Sequence, residues 1–151
     1  MRKKIVLLLS SGLGAGYIPL APGTFGTLLA SIVYLWVMPV NPIAYLIVLS
    51  ALALVSVFIS AAADKIYGTE DSRRIVIDEV IGFLITMAFL PKTFTIVFIG
   101  FALFRFFDVV KPLFIKRIQK LSGGWGIVAD DVLAGIYSNI ILQVLIRTVK
   151  I

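Results

Sequence analysis

The chain has 151 residues, of which 60% are hydrophobic and 15% charged, with a mean hydropathy of +1.08 and a formal net charge of +6. One soluble domain has no interior large enough for that apolar share, so the bilayer is the expected solvent. The excess of Lys and Arg then points to anionic lipid headgroups rather than nucleic acid, for which no motif is present. The absence of Cys and His excludes disulfides, thiolate and imidazole catalysis, and the usual zinc and copper ligand sets.

Residues 1–9 combine the basic and apolar parts of a signal peptide, but the run breaks at once into glycines and prolines with no A-x-A site. The segment is therefore expected to stay in the mature chain. Residues 5–17 are apolar but interrupted by Gly12, Gly14 and Gly16, and residues 18–26 are rich in turn formers. This density of Gly and Pro predicts an interfacial or re-entrant element rather than a spanning helix.

Residues 27–38 predict a short helix, residues 39–42 a tight turn and residues 43–63 a helix long enough to span. A polar stretch, 64–74, leads to a second pair, 75–90 and 93–107, joined at Pro91-Lys92. Each arm has about fifteen residues, or roughly 23 Å of helix, enough to dip into the bilayer without clearing it. A basic loop over 109–126 follows, and residues 131–148 close the chain as a last helix. The fold class expected is all-α: a small polytopic membrane protein forming one domain over 1–151, with about four to five membrane helices and a glycine-rich interfacial or re-entrant N-terminal segment. No internal repeat is present.

Orientation follows from the positive-inside rule. Placing the N-terminus, the 64–74 loop and the 109–130 loop in the cytoplasm puts Arg2, Lys3, Lys4, Lys65, Arg73, Arg74, Lys111, Lys116, Arg117 and Lys120 there, with Arg105 close by. Only Lys92, Arg147 and Lys150 fall elsewhere. The same topology gathers every acidic residue at the cytoplasmic ends: Asp64, Glu70, Asp71, Asp78, Glu79, Asp108, Asp130 and Asp131. Solvation in a loop accounts for the first three but not for the other five.

Asp78-Glu79 follows an apolar Ile75-Val76-Ile77 and precedes Val80-Ile81-Gly82. An ionised carboxylate at that depth costs about 2.5 to 3.5 kcal/mol, so it requires a metal or a cationic partner, Arg73, Arg74 and Arg105 being the candidates. Arg105, Asp108 and Lys111 are spaced three apart and share one helix face, a cation–anion–cation line that suits a phosphate held beside a metal, or equally a local ion pair of a snorkelling Arg. Asp130-Asp131 are expected at the N-terminus of the last helix, where the dipole favours them but their mutual repulsion calls for a divalent cation. The glycine-rich N-terminal segment offers backbone N–H groups and the hydroxyls of Thr24 and Thr27 to a phosphate, although close helix packing explains its glycines as well.

Four blocks occur in order: Gly12-Leu13-Gly14 followed by Pro19-Leu20-Ala21-Pro22-Gly23-Thr24-Phe25-Gly26-Thr27; Ile75 through Gly82; Phe104-Arg105-Phe106-Phe107-Asp108-Val109-Val110-Lys111-Pro112; and Gly126-Ile127-Val128-Ala129-Asp130-Asp131 running on to Ala134-Gly135. Together they resemble the bacterial phosphatidylglycerophosphatase A family. Ala129 and Leu113 stand where that family commonly has Met and an aromatic, apolar exchanges that touch no candidate ligand.

The resemblance implies an all-helical, multi-pass protein of the bacterial cytoplasmic membrane. It implies Mg²⁺-dependent removal of the terminal phosphate of phosphatidylglycerophosphate at a site facing the cytoplasm. Carried over by position, Asp78, Glu79, Asp108, Asp131 and Arg105 would be catalytic, with Glu79, Asp108, Asp130 and Asp131 as metal ligands. Arg105, Lys111, Thr24 and Thr27 would contact the phosphate. Composition excludes Cys and His phosphatases, and no Asp-x-Asp-x-Thr motif is present, which leaves metal-assisted hydrolysis by water ahead of a carboxylate nucleophile. The expected partners are the lipid substrate and the bilayer, with a homo-oligomer left open. The alternative function is a small transporter or channel using the boundary carboxylates for cations.

Overall fold

In the computed structural model, residues 3–69, 72–112, 114–118 and 123–149 are described, apart from the side chains of Lys116 and Arg117. Arg2, Glu70, Asp71, Leu113, Lys120 and Lys150, and those two side chains, which entered the charge and motif readings above, lie outside the described residues. Helices α1 (Lys3–Ser10), α2 (Pro22–Trp36), α3 (Pro42–Tyr67), α4 (Ile77–Thr86), α5 (Phe94–Val110), α6 (Ile115–Ile118) and α7 (Gly124–Val149) follow in order, with a 3₁₀ turn at Ala15–Tyr17. No strand occurs among the described residues.

Two helix starts differ from expectation because a Pro and a Gly read as breakers are each accommodated within the helix. Helix α2 begins at Pro22, not at residue 27, because Pro at the first helical position loses an N–H that would have no partner there anyway. Helix α7 begins at Gly124, seven residues before the expected start. Its glycines are contact points rather than breakers: a Cβ on Gly124 would lie 2.0 Å from the Val57 carbonyl oxygen of α3, so the absence of a side chain is what lets the two long helices meet.

Helix α3 starts at Asn41, whose side chain accepts from the N–H groups of Ile43 and Ala44 at 3.0 and 3.1 Å. It runs one turn beyond the expected 63 and stops at Gly68, in the left-handed conformation with φ 69°. The predicted 75–90 arm is only ten residues of helix in α4. Ile75 and Val76 lie outside it, and the Val76 N–H donates to the Ser10 carbonyl at 2.8 Å.

Helices α3 and α7, at 26 residues each, are long and apolar enough to cross a membrane. With 15, 10 and 17 residues, α2, α4 and α5 fall short of the roughly 20 needed. Large apolar side chains on α3 and α5 stay exposed, among them Ile43, Ile47, Phe58, Phe94 and Phe98, as expected where lipid is the solvent.

The core centres on α4, which packs against α7, α2 and α3. Phe83, Leu84, Met87, Phe104, Tyr34 and Leu142 are fully buried there. Tyr34 and Tyr45 donate to the carbonyls of Leu90 and Leu84, each at 2.6 Å, satisfying the frayed end of α4. Within this core α4 and α7 cross closely at Gly82 and Gly135: a Cβ on Gly135 would stand 2.3 Å from the Gly82 carbonyl oxygen.

Gly135→Ala is therefore expected to force α4 and α7 apart at a cost of about 1–3 kcal/mol, read as a lower midpoint of thermal unfolding in detergent. An unchanged midpoint would show that the crossing has slack the backbone geometry denies.

Candidate active site

Asp78 lies four residues before Gly82, and Asp131 four residues before Gly135. Residues four apart share a helix face, so the glycine crossing draws both carboxylates to the same end of the α4–α7 contact. One carboxylate oxygen from each of Asp78, Glu79 and Asp131 lies within 4.8 Å of the others. Asp78 and Asp131 are only 6% and 3% exposed. Asp78 Oδ1, Glu79 Oε2 and Asp131 Oδ1 are buried without a hydrogen-bond partner.

The remaining two boundary acids are held by cations. Arg105 and Asp108, three apart on the last turns of α5, form an ion pair. Lys111 caps α5 in the left-handed conformation, φ 47°, which turns its ammonium toward α7 and an ion pair with Asp130. Burial alone would lower the Lys111 pKa, but the hydrogen bond to Asp130 and the charges of Asp130, Asp131 and Asp108 outweigh it and raise the ammonium above its ordinary value. Lys111 therefore stays charged.

Two adjoining cavities meet at this cluster. The smaller, about 160 Å³, contains Asp78, Glu79, Asp108, Asp130 and Asp131 in its lining. The larger, about 830 Å³, is lined by the 3₁₀ turn, the start of α2 and the cations Arg73, Arg74, Arg105 and Lys111. Arg73, Glu79, Asp108 and Lys111 line both. Carboxylates thus predominate in the smaller, inner chamber and cations in the larger, outer one.

The sequence reading and the geometry differ at several residues. Asp78-Glu79 were expected inside a helix and Asp130-Asp131 at a helix start; the structure reverses this, with the first pair in the opening turn of α4 and the second two turns into α7. The dipole argument for Asp130-Asp131 therefore lapses. Asp78, read as catalytic but not as a ligand, joins Glu79 and Asp131 in the trio, while Asp108 and Asp130 face cations. Thr27 is fully buried and donates to the Gly23 carbonyl at 2.8 Å, so its hydroxyl is spent within α2. Thr24 does not line either cavity.

Gly23, which the sequence reading offered only within a glycine-rich segment, is a site residue in its own right. A Cβ there would stand 2.2 Å from Glu79 Oε1 and 2.9 Å from Arg105 Nη1, so a side chain at the start of α2 would push both groups aside. Its signal was the Pro22-Gly23 pair, read as a turn. Arg73 and Arg74 form no ion pair among the described residues with the acids for which they were candidate partners.

Oxygen-only donors from three buried carboxylates suit a hard divalent cation, with Mg²⁺ fitting the donor set. Without one, three carboxyl groups crowd together while the nearby cations Arg105 and Lys111 pair with Asp108 and Asp130.

Residues 8–146 match the family described as phosphatidylglycerophosphatase A. The chain is similar to the phosphatidylglycerophosphatase A of Haemophilus influenzae, at 36% identity over 148 residues that cover 93% of this chain and 91% of the relative. It is 37% identical over 138 residues to that of Escherichia coli, covering 89% and 80% respectively. A Bacteroides thetaiotaomicron protein with the provisional name phosphatidylinositol-3-phosphatase is 41% identical over 146 residues, covering 91% of each chain. No solved structure matches.

With divalent cations chelated, Asp131→Asn is expected to raise the unfolding midpoint by removing the cost of a buried carboxyl crowded against two others, about 1–3 kcal/mol. Millimolar Mg²⁺ is expected to raise the midpoint of the parent but not of the variant. A parent that ignores Mg²⁺ and melts above the variant in chelator would argue against a cation among these three groups.

Proposed function

The chain belongs to the phosphatidylglycerophosphatase A family, and from that premise we propose that it hydrolyses the terminal phosphate monoester of phosphatidylglycerophosphate to give phosphatidylglycerol. The observation that carries the reading is the buried Asp78–Glu79–Asp131 trio, with three unpartnered oxygens, adjoining a cavity lined by four cations. A transporter reading gains nothing from this arrangement, because among the described residues the acids collect at one end of the bundle and no path of charge continues along α4 and α7.

The family and the donor set together favour Mg²⁺ held by Asp78, Glu79 and Asp131; when bound, it would supply a Lewis acid for the phosphoryl oxygens and for the attacking water. The protein's own groups do the rest. Lys111, which lines both cavities, and Arg105, which lines the larger, bind the equatorial phosphate oxygens, the ammonium as a point charge and the guanidinium as a fork. Asp130 and Asp108 fix those two cations, so little reorganisation remains when charge develops on the phosphate. Water attacks phosphorus in line and the bond from phosphorus to the glycerol oxygen breaks; one proton of the water stays on the released phosphate and the other passes to that oxygen, which leaves as the free hydroxyl of phosphatidylglycerol.

The reading extends to topology. Helices α3 and α7 span the bacterial cytoplasmic membrane. The shorter α2, α4 and α5 sit at membrane depth against them, and the site opens toward the cytoplasm, where the positive-inside rule places its Arg and Lys. A phospholipid made in the inner leaflet presents its headgroup at that level.

Phosphate release from phosphatidylglycerophosphate in detergent micelles is expected to require Mg²⁺ and to stop on chelation. Asp78→Asn, Asp131→Asn and Asp108→Asn are each expected to lower kcat by on the order of 10² or more, with folding retained by thermal unfolding. Near-parent turnover in all three would rule out the assignment.

A further inference from the structure

The outer cavity carries more cationic charge than one phosphate needs. Lys111 and Arg105 are each held by a carboxylate that lines the acidic chamber. Arg73 and Arg74 line the same cavity, Arg73 bordering the acidic chamber as well; both are exposed and have no ion pair among the described residues. The backbone that carries them is nonetheless anchored at Arg74 and Val76. A Cβ on Gly16 would fall 2.1 Å from the Arg74 carbonyl oxygen, so the 3₁₀ turn lies directly against this backbone. On the C-terminal side the Val76 N–H is tied to the Ser10 carbonyl of α1 at 2.8 Å.

The Arg74 guanidinium is braced as well. It lies 5.9 Å from the centroid of the Tyr17 ring and 5.5 Å from that of Tyr67, and the two phenol oxygens are 3.1 Å apart. A planar guanidinium held over ring faces keeps N–H donors for a multidentate anion such as a phosphate. A guanidinium positioned in this way on a cavity wall is a binding group without a described anion.

Resting on the hydrolysis reading above, the substrate supplies that anion, because phosphatidylglycerophosphate carries two phosphates. The monoester is cleaved; the diester joins the glycerol headgroup to the acyl-bearing glycerol and survives in the product. We propose that Arg73 and Arg74 bind this diester phosphate, while Lys111 and Arg105 take the monoester, so that the cavity measures the distance between two phosphates. The proposal makes Arg73 and Arg74 specificity determinants: they favour phospholipids with a terminal phosphate beyond a diester over phosphatidic acid, whose phosphate is a monoester alone. Both headgroups named among the relatives, glycerophosphate and inositol 3-phosphate, have this two-phosphate form.

Steady-state kinetics on the full chain in micelles with Mg²⁺ test this, using Arg73→Met and Arg74→Met. KM for phosphatidylglycerophosphate is expected to rise about tenfold or more, the loss falling on KM rather than kcat. The deacylated headgroup, glycerophosphoglycerophosphate, is expected to compete about tenfold less well, while competition by inorganic phosphate, which fills the monoester arm alone, holds. Arg→Lys at either position is expected to recover part of the loss. A KM rise with undiminished competition by the soluble headgroup would make these arginines a membrane-surface contact and overturn the proposal. So would equal weakening of inorganic phosphate, or no change at all. If the parent protein releases no phosphate from the lipid, the hydrolysis reading itself fails, and that result precedes any comparison of variants.

Discussion

Everything at the site depends on how closely α4 and α7 approach at Gly82 and Gly135. A methyl group on Gly135 would fall 2.3 Å from a backbone oxygen, and one on Gly82 would fall 2.7 Å from the carbonyl of Asp131. No side chain fits between the helices at that separation, and within a bilayer this close packing, rather than a hydrophobic driving force, holds helices together. The same i, i+4 step that places Gly82 and Gly135 in the seam places Asp78 and Asp131 beside it, so packing and site geometry are a single constraint.

Burying three carboxylates together costs several kcal/mol for each ion left without compensation. The protein offsets only part of that cost. Lys111 and Arg105 are nearby, yet they pair with Asp130 and Asp108 and leave Asp78, Glu79 and Asp131 with unpartnered oxygens. Such a local excess of negative charge is unfavourable for the empty fold and favourable for binding a hard cation. Cations dominate the outer cavity, so under the proposed hydrolysis a phosphate and a metal would each be drawn to a different compartment and meet at Arg73, Glu79, Asp108 and Lys111, which line both.

Much of this was legible in the sequence. Apolar composition and charge-free runs pointed to membrane helices, and α3 and α7 bear out the two longest. The depth of Asp78, the i, i+3 line of Arg105, Asp108 and Lys111, and Gly135 four residues from Asp131 all marked groups that the fold brings together. What misled was glycine and proline. Pro22 and the Gly123-Gly124 pair read as chain breakers, although Pro fits the first turn of a helix and Gly124 is a helix-contact residue; both effects depend on a partner element that local pattern does not contain. That error displaced Asp130-Asp131 to a helix start and made Thr27 look available, when its hydroxyl is satisfied within α2. Gly23 and the cavity-facing role of Arg73 and Arg74 depend on contacts between segments some fifty to eighty residues apart in the chain, which no short motif encodes.

The central claim is that Asp78, Glu79 and Asp131 form one cation site rather than three separate buried acids. Electron paramagnetic resonance of Mn²⁺ with the purified protein in detergent tests it directly. The account predicts protein-bound Mn²⁺ that Mg²⁺ displaces. Affinity should fall about tenfold or more in Asp78→Asn and in Asp131→Asn and be kept in Asp64→Asn, whose carboxylate is outside the trio and accepts from the Ser72 N–H. Mn²⁺ binding that survives in both trio variants, or that never occurs in the parent, would contradict it.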